Sequence, residues 1–193
     1  TREEIMIRDS IREFVSKEIM PTIATHYENG TFPKDLIPQL AELGTLGATI
    51  QGYDCAGVNY TSYGLIMQEL ERADSGIRSF VSVQGALCMY PIYAFGSEEH
   101  KKKYLPKMAK GELIGCFGLT EPDFGSNPGG MITRAKKDGS DYILNGSKMW
   151  ITNGGVAGVA IVWAKDDNDK IVGFIVDRDL KGFSVRNIEK KFS

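Results

Sequence analysis

The run Lys110-Gly111-Glu112-Leu113-Ile114-Gly115-Cys116-Phe117-Gly118-Leu119-Thr120-Glu121-Pro122 decides how the chain is to be read. Up to Gly111 the apolar residues recur at helical spacing; after Leu113 they fall at the spacing of strands. Upstream, Thr1 and Glu4 make a capping box for a helix carrying Ile7, Ile11, Phe14, Val15 and Ile19, which Pro21 ends. Pro33 opens a second helix over Leu36, Leu40 and Leu43, and Gly44 closes it in the C′ position. A third covers about 62–73 on Leu65, Ile66, Glu69 and Leu70. A fourth, about 77–95, is apolar on most faces and reads as buried. Gly96 stops it, Ser97 caps the next helix, and Pro106 introduces an irregular turn there.

Downstream, Asp138-Gly139 and Asn145-Gly146 are hairpin turn signals, and 166–169 is a polar turn. Strands are expected at 132–136, 142–144, 148–151, 159–164, 171–176 and 183–188. The expected fold class is therefore α+β. An all-α helical domain over 1–112 precedes a small, incomplete all-β domain over 113–193, whose strand spacing suits a sandwich or a barrel.

Composition narrows the function classes. The 193 residues suit one large or two small domains, at roughly 100–200 residues each. With 42% hydrophobic and 25% charged residues, disordered, collagenous and disulfide-scaffold chains are excluded. A net charge of −2 removes the electrostatic case for binding nucleic acid or an anionic membrane. The longest stretch without strongly polar residues, 156–164, is under half a membrane span of about 20 residues, so no membrane insertion is expected. Cys55, Cys88 and Cys116 lie far apart without a CxxC pair, which fits thiols in a reducing compartment. His26 and His100 are not near a Cys or carboxylate cluster at ligand spacing, so no metal site is expected. GxSxG, P-loop and GxGxxG motifs are absent. The chain starts at Thr1 without a leader and stops at Ser193 without a closing helix, and reads as a piece of something longer.

Three features carry chemistry. The loop from Phe117 to Gly130 is rich in Gly, Pro and small hydroxyl residues. Its exposed amides, with Thr120 and Ser126, can cradle an anion or edge a flat heterocycle; an ordinary surface loop has the same composition. In Lys148-Met149-Trp150-Ile151-Thr152-Asn153-Gly154-Gly155, Trp150 and Thr152 stand two apart, on one face of a strand. They offer a stacking plane and a donor, or else a Trp packed in a β core. Arg78 lies in an otherwise apolar helix and needs a partner, because an unpaired buried charge is unfavourable. That partner is Glu71 or Asp74, or an anionic ligand held by the guanidinium fork.

Taken together, these motifs resemble the acyl-CoA dehydrogenases. Gly118-Leu119-Thr120-Glu121-Pro122, Gly125-Ser126, and Asn145-Gly146-Ser147-Lys148-Met149-Trp150-Ile151-Thr152-Asn153-Gly154 are similar to that family's two flavin signatures. Tyr93-Ala94-Phe95-Gly96-Ser97-Glu98-Glu99, Lys103-Tyr104-Leu105-Pro106 and Lys110-Gly111-Glu112 match its helical-to-β junction. Phe124 and Asn127 depart from the pattern, standing where a small residue and an Asp are common.

The resemblance implies FAD as cofactor, an N-terminal helical domain, an antiparallel β-barrel as the incomplete domain over 113–193, and an additional C-terminal four-helix bundle absent from this chain. It implies flavin contacts at Phe117, Gly118, Leu119, Thr120, Glu121, Pro122, Gly125, Ser126, Trp150, Ile151 and Thr152, with Thr120 at the pyrimidine edge and Thr152 near N5. Ser126 is implied to touch the thioester as well. The run 71–79 followed by Val81-Ser82-Val83-Gln84 looks most like glutaryl-CoA dehydrogenases, which implies substrate contacts at Arg78, Ser79 and Glu71.

The implied reaction removes the α proton with a Glu and passes the β hydride to the flavin, with decarboxylation to crotonyl-CoA possible. That general base is expected downstream of Ser193, so no catalytic residue is assigned in this chain, which alone is expected to be inactive. Electron-transferring flavoprotein is the implied acceptor, a homotetramer the implied assembly, and a bacterial cytoplasm or mitochondrial matrix the implied setting. The competing expectations are a short- or branched-chain acyl-CoA dehydrogenase and a non-catalytic truncated module.

Overall fold

Thr1 caps the first helix, α1 (Arg2–Phe14), through the expected capping box. Its hydroxyl accepts from the Glu4 amide at 3.3 Å, and Glu4 Oε2 accepts from the Thr1 amine at 2.6 Å. The computed structural model describes residues 1–189, so the last four residues of the expected 113–193 domain lie outside the described residues. The chain splits into two units whose principal segments are Thr1–Ile114 and Gly115–Asn187.

In the first unit Pro21 does not end the helix. The turn widens to π-helical over Val15–Ile19 and the chain continues as α2 (Met20–Asn29). In an α-helix the Pro21 ring would meet the carbonyl four residues back, that of Lys17; an i→i+5 turn moves that carbonyl aside. Next come α3 (Leu36–Glu42), followed by Gly44 at φ +68° in its expected place, and α4 (Tyr60–Ala73). The expected fourth helix is α5 (Ser75–Ser82), a second π-helical stretch Val83–Met89, and α6 (Tyr90–Phe95). Here too the widened turn stands just ahead of a proline, Pro91. This helix is buried on one side only. Phe80, Met89 and Ile92 are in the core, while Leu87, Tyr90 and Phe95 are 40%, 45% and 83% exposed. Ser97 caps α7 (Glu98–Ala109), which stays helical through Pro106 instead of breaking; the missing donor falls within one turn of the helix end.

One buried charge ties the unit together. Glu69, read as part of an apolar stripe, is 1% exposed on α4, and Arg12 of α1 grips it at 2.7 and 3.1 Å. Arg72 adds a third bond at 3.1 Å. The Arg12 bonds, against the opposing effect of burial and with help from Arg72, hold this carboxyl below the usual range.

The expected helical domain followed by an incomplete β domain is borne out, but among the described residues the sheet of the second unit is open and mixed, not wholly antiparallel. Its strands are β1 (Gly115–Gly118), β2 (Arg134–Asp138), β3 (Asp141–Asn145), β4 (Val159–Lys165) and β5 (Ile171–Asp177). β4 is central: β1 runs parallel to it from Gly115↔Val159, and β5 antiparallel from Val159↔Asp177 to Lys165↔Ile171. The β2–β3 hairpin turns at Gly139 as expected, and meets β4 only at Arg134↔Lys165. Cys116, Ala157, Ala160 and Val176 form the core, with Leu144, Ile151, Val162, Phe174 and Phe183 packed on it.

Two expected strands are missing, 148–151 and 183–188. Asn145-Gly146 makes no hairpin either: a Cβ at 146 would collide with the Thr133 side chain, so glycine there permits a close crossing. Among the described residues no helix is long and apolar enough to cross a membrane.

Candidate functional site

β1 delivers Phe117 and Gly118 to the start of the glycine- and proline-rich loop. The Phe117 ring meets Trp163 of β4 edge-on at 6.0 Å, so this side chain serves the sheet. Reciprocal bonds between Glu121 and Phe124, at 3.3 and 3.2 Å, fold the loop back with Pro122 and Asp123 at its tip. Phe124, the departure from the family pattern, fits because residue 130 is glycine: a Cβ there would strike the phenyl ring. Gly130→Ala is thus expected to dislodge Phe124, at about 1–3 kcal/mol of overpacking. A lowered urea midpoint at unchanged slope would register it.

The second motif is a loop, not a strand. Trp150 sits at φ +61°, a left-handed conformation disfavoured for a bulky residue, and is 60% exposed. The same-face argument for Trp150 and Thr152 therefore fails, although both are exposed and neighbouring. Asn153, at φ +66°, turns the chain back through bonds from the Val156 and Ala157 amides to its carbonyl.

The structure brings the two motifs together. The Met149 amide donates to the Thr120 carbonyl at 2.9 Å, and Lys148 Nζ donates to Leu119 O at 3.0 Å and to Glu121 Oε1 at 2.8 Å. Thr120 and Ile151 are half-buried, while Pro122, Gly125 and Ser126 are exposed, and a Cβ at Gly125 would meet nothing.

Glu121 differs from the rest. Its carboxylate is 1% exposed and turned inward, so its side chain is not presented to a ligand. The amides of Ile132 (2.7 Å) and Thr133 (3.0 Å), the Thr133 hydroxyl and Lys148 all donate to it. Burial would raise its pKa, but the Lys148 bond, then the Thr133 hydroxyl and the two amides, bring it down to about 2. Lys148 and Thr133 were not singled out from sequence. The available signal was Lys148, the one cation of the second motif, set against the acidic Glu121 and Asp123 of the first.

The remaining sequence candidates lie in the helical unit. Arg78 is not buried: its side chain is 35% exposed and donates through Nε to Glu71 Oε2 at 2.6 Å. Neither terminal guanidinium nitrogen donates to a described residue. Glu71 also accepts from Ser75 Oγ at 2.7 Å, and Arg78 first, then Ser75, hold it below the usual carboxylate range. The Asp74 carboxylate is not the partner of the Arg78 guanidinium; it caps α5, accepting from the Ile77 amide at 2.9 Å. Ser79, one residue on, is half-buried. Further along the same helix, Ala86 and Tyr90 line a pocket of about 210 Å³ with Thr49, Tyr60 and Tyr63. Burial raises the Tyr63 phenol, and Arg78 opposes that rise.

Comparisons with known proteins match both units of the chain. The family model described as acyl-CoA dehydrogenase, N-terminal domain, matches residues 1–112, and that described as the middle domain matches residues 116–193. The short-chain-specific acyl-CoA dehydrogenase of Clostridium acetobutylicum is 37% identical over 99% of this chain and 52% of its own length. A crystal structure of a glutaryl-CoA dehydrogenase from Mycobacterium smegmatis in complex with FADH2 is 54% identical, with a TM-score of 0.98 over 100% of this chain and 50% of that one. Butyryl-CoA dehydrogenase from Megasphaera elsdenii is 36% identical, with a TM-score of 0.88 over 94% of this chain and 50% of its own. The chain thus spans about half the length of these relatives, and with both of its units matched it belongs to the acyl-CoA dehydrogenase family.

Proposed function

We propose that this chain supplies the flavin- and substrate-contacting part of an FAD-dependent acyl-CoA dehydrogenase whose substrate is glutaryl-CoA. The observation that carries the substrate is Arg78. Its guanidinium is bonded through Nε to Glu71, its side chain is about one-third exposed, and it sits on the helix that lines the apolar pocket. That arrangement suits a short acyl chain ending in a carboxylate. The 54% identity to a glutaryl-CoA dehydrogenase, against 36% to a butyryl-CoA dehydrogenase, favours the same choice.

The residues of the sheet unit fit a flavin. Trp150 is held in a strained conformation and is itself exposed, although a Trp normally buries about 150–250 Å². Such an outlier is the kind of strain that surrounding structure maintains at a functional site. Trp150 would lie against the isoalloxazine, with Thr120, Ser126 and Thr152 offering hydroxyl donors, and Gly125 keeping the loop open to approach. FAD, when bound, supplies the hydride acceptor.

Proton abstraction falls to a base outside this chain. Glu121 is ionised, buried and fully bonded, and Glu71 is already paired to Arg78, so neither is assigned the role. Decarboxylation after oxidation, electron-transferring flavoprotein as acceptor, and a tetrameric assembly complete the reading.

One observation favours a second reading, an uncharged short acyl chain: Glu71 already neutralises Arg78. The test is optical. The purified full-length protein is expected to be yellow, with flavin absorbance bleached by glutaryl-CoA under anaerobic conditions. Bleaching by butyryl-CoA alone would select the second reading, and a colourless protein would reject both in favour of a non-catalytic module.

A further inference from the structure

The Lys148–Glu121 pair asks for an explanation beyond stability. Both side chains are withdrawn from water, at 11% and 1% exposure. Well-packed apolar residues usually serve a protein interior as well as a buried ion pair or better. The pair, however, sits where the sheet is thinnest. β2 joins β4 through the single ladder position Arg134↔Lys165 and the bond from Lys165 N to Thr133 O at 2.9 Å. At that point the Glu121 carboxylate gathers the amides of Ile132 and Thr133, while Lys148 Nζ reaches both Glu121 and the Leu119 carbonyl. Three segments distant in sequence are therefore tied by one anion and one cation. Two of those segments are the loops that carry Thr120, Ser126, Trp150 and Thr152.

We propose that Lys148 and Glu121 are a charge-balanced positioning pair. They hold the two flavin-facing loops in one geometry and keep the ground beneath the flavin electrically neutral. The inference rests on the flavin reading above and deepens it. Removing either partner leaves a charge of opposite sign in a poorly solvated place, where its field acts over longer distances than in water. An unpaired Glu121 disfavours the added electrons of reduced flavin; an unpaired Lys148 favours them.

The test compares FAD affinity and flavin midpoint potential in the full-length protein, wild type and Lys148→Met, Glu121→Gln, Lys148→Arg and the double variant Lys148→Met/Glu121→Gln. Lys148→Met is expected to lower the potential and Glu121→Gln to raise it. Lys148→Arg, which keeps the charge, and the double variant, which buries none, are expected to stay near the wild-type value. Both single neutralising variants are expected to bind FAD at least tenfold more weakly. The double variant, lacking the tie between loops, is expected to bind weakly despite its unchanged potential. Shifts of the same sign in the two single variants, or none, overturn the electrostatic part. Should the single variants not fold, the double variant decides: wild-type FAD affinity there overturns the positioning role. A wild-type protein that takes up no FAD sinks the flavin reading, and this proposal with it.

Discussion

Lys148→Met is expected to destabilise the sheet unit by about 3 kcal/mol, the lower end of what breaking a buried ion pair costs. The lower end applies because Glu121 keeps three other donors, the two amides and the Thr133 hydroxyl. The companion variant Lys148→Met/Glu121→Gln is expected to recover most of that loss, since no charge is then buried alone. Acid should act on the wild type along the same line. The folded carboxyl, near 2 against an ordinary 4.5, contributes stability that is complete above the ordinary value. That stability drains away as pH falls from about 4.5 toward 2, by about 3 kcal/mol. Urea unfolding at a series of pH values, followed through the two tryptophans, reads both effects. A Lys148→Met protein as stable as wild type would contradict the account of the pair.

Arg78→Ala is expected to reduce kcat/KM for glutaryl-CoA by about 10–100-fold, the loss of a charge-assisted bond to a carboxylate. The side chain is 35% exposed and water screens the interaction, which keeps the loss within that range. Turnover of butyryl-CoA should be little changed, since its chain ends in a methyl group. Equal losses with both substrates would assign Arg78 to holding α5 in place and not to the distal carboxylate. Lys at this position would keep the charge but lose the fork, and is expected to fall between wild type and alanine.

How much of this was legible before folding varies with the range of the interaction. The helical half was largely readable, because its signals are local: the Thr1–Glu4 box, Ser97 as a cap and Gly44 at a positive φ all stand where the sequence puts them. Pro21 does not end its helix, for a local reason too. A π-helical turn can carry a helix past a proline, and no apolar spacing announces it. The Asp138-Gly139 hairpin was legible, whereas the chemically similar Asn145-Gly146 was not a turn, because its glycine answers to Thr133, thirteen residues away.

The candidate site divides the same way. Residue types and their order were enough to single out the two motifs and Arg78 as candidates, since glycine, proline, hydroxyl and guanidinium chemistry belongs to the residues themselves. Sequence could not say that Trp150 leaves the strand register, that Glu121 faces inward, or that Lys148 joins the loops. Those outcomes depend on donors brought from 11 to 29 positions away. Only the packed chain, with water excluded around Glu121, decides which side chains turn inward to hold the frame and which stay exposed.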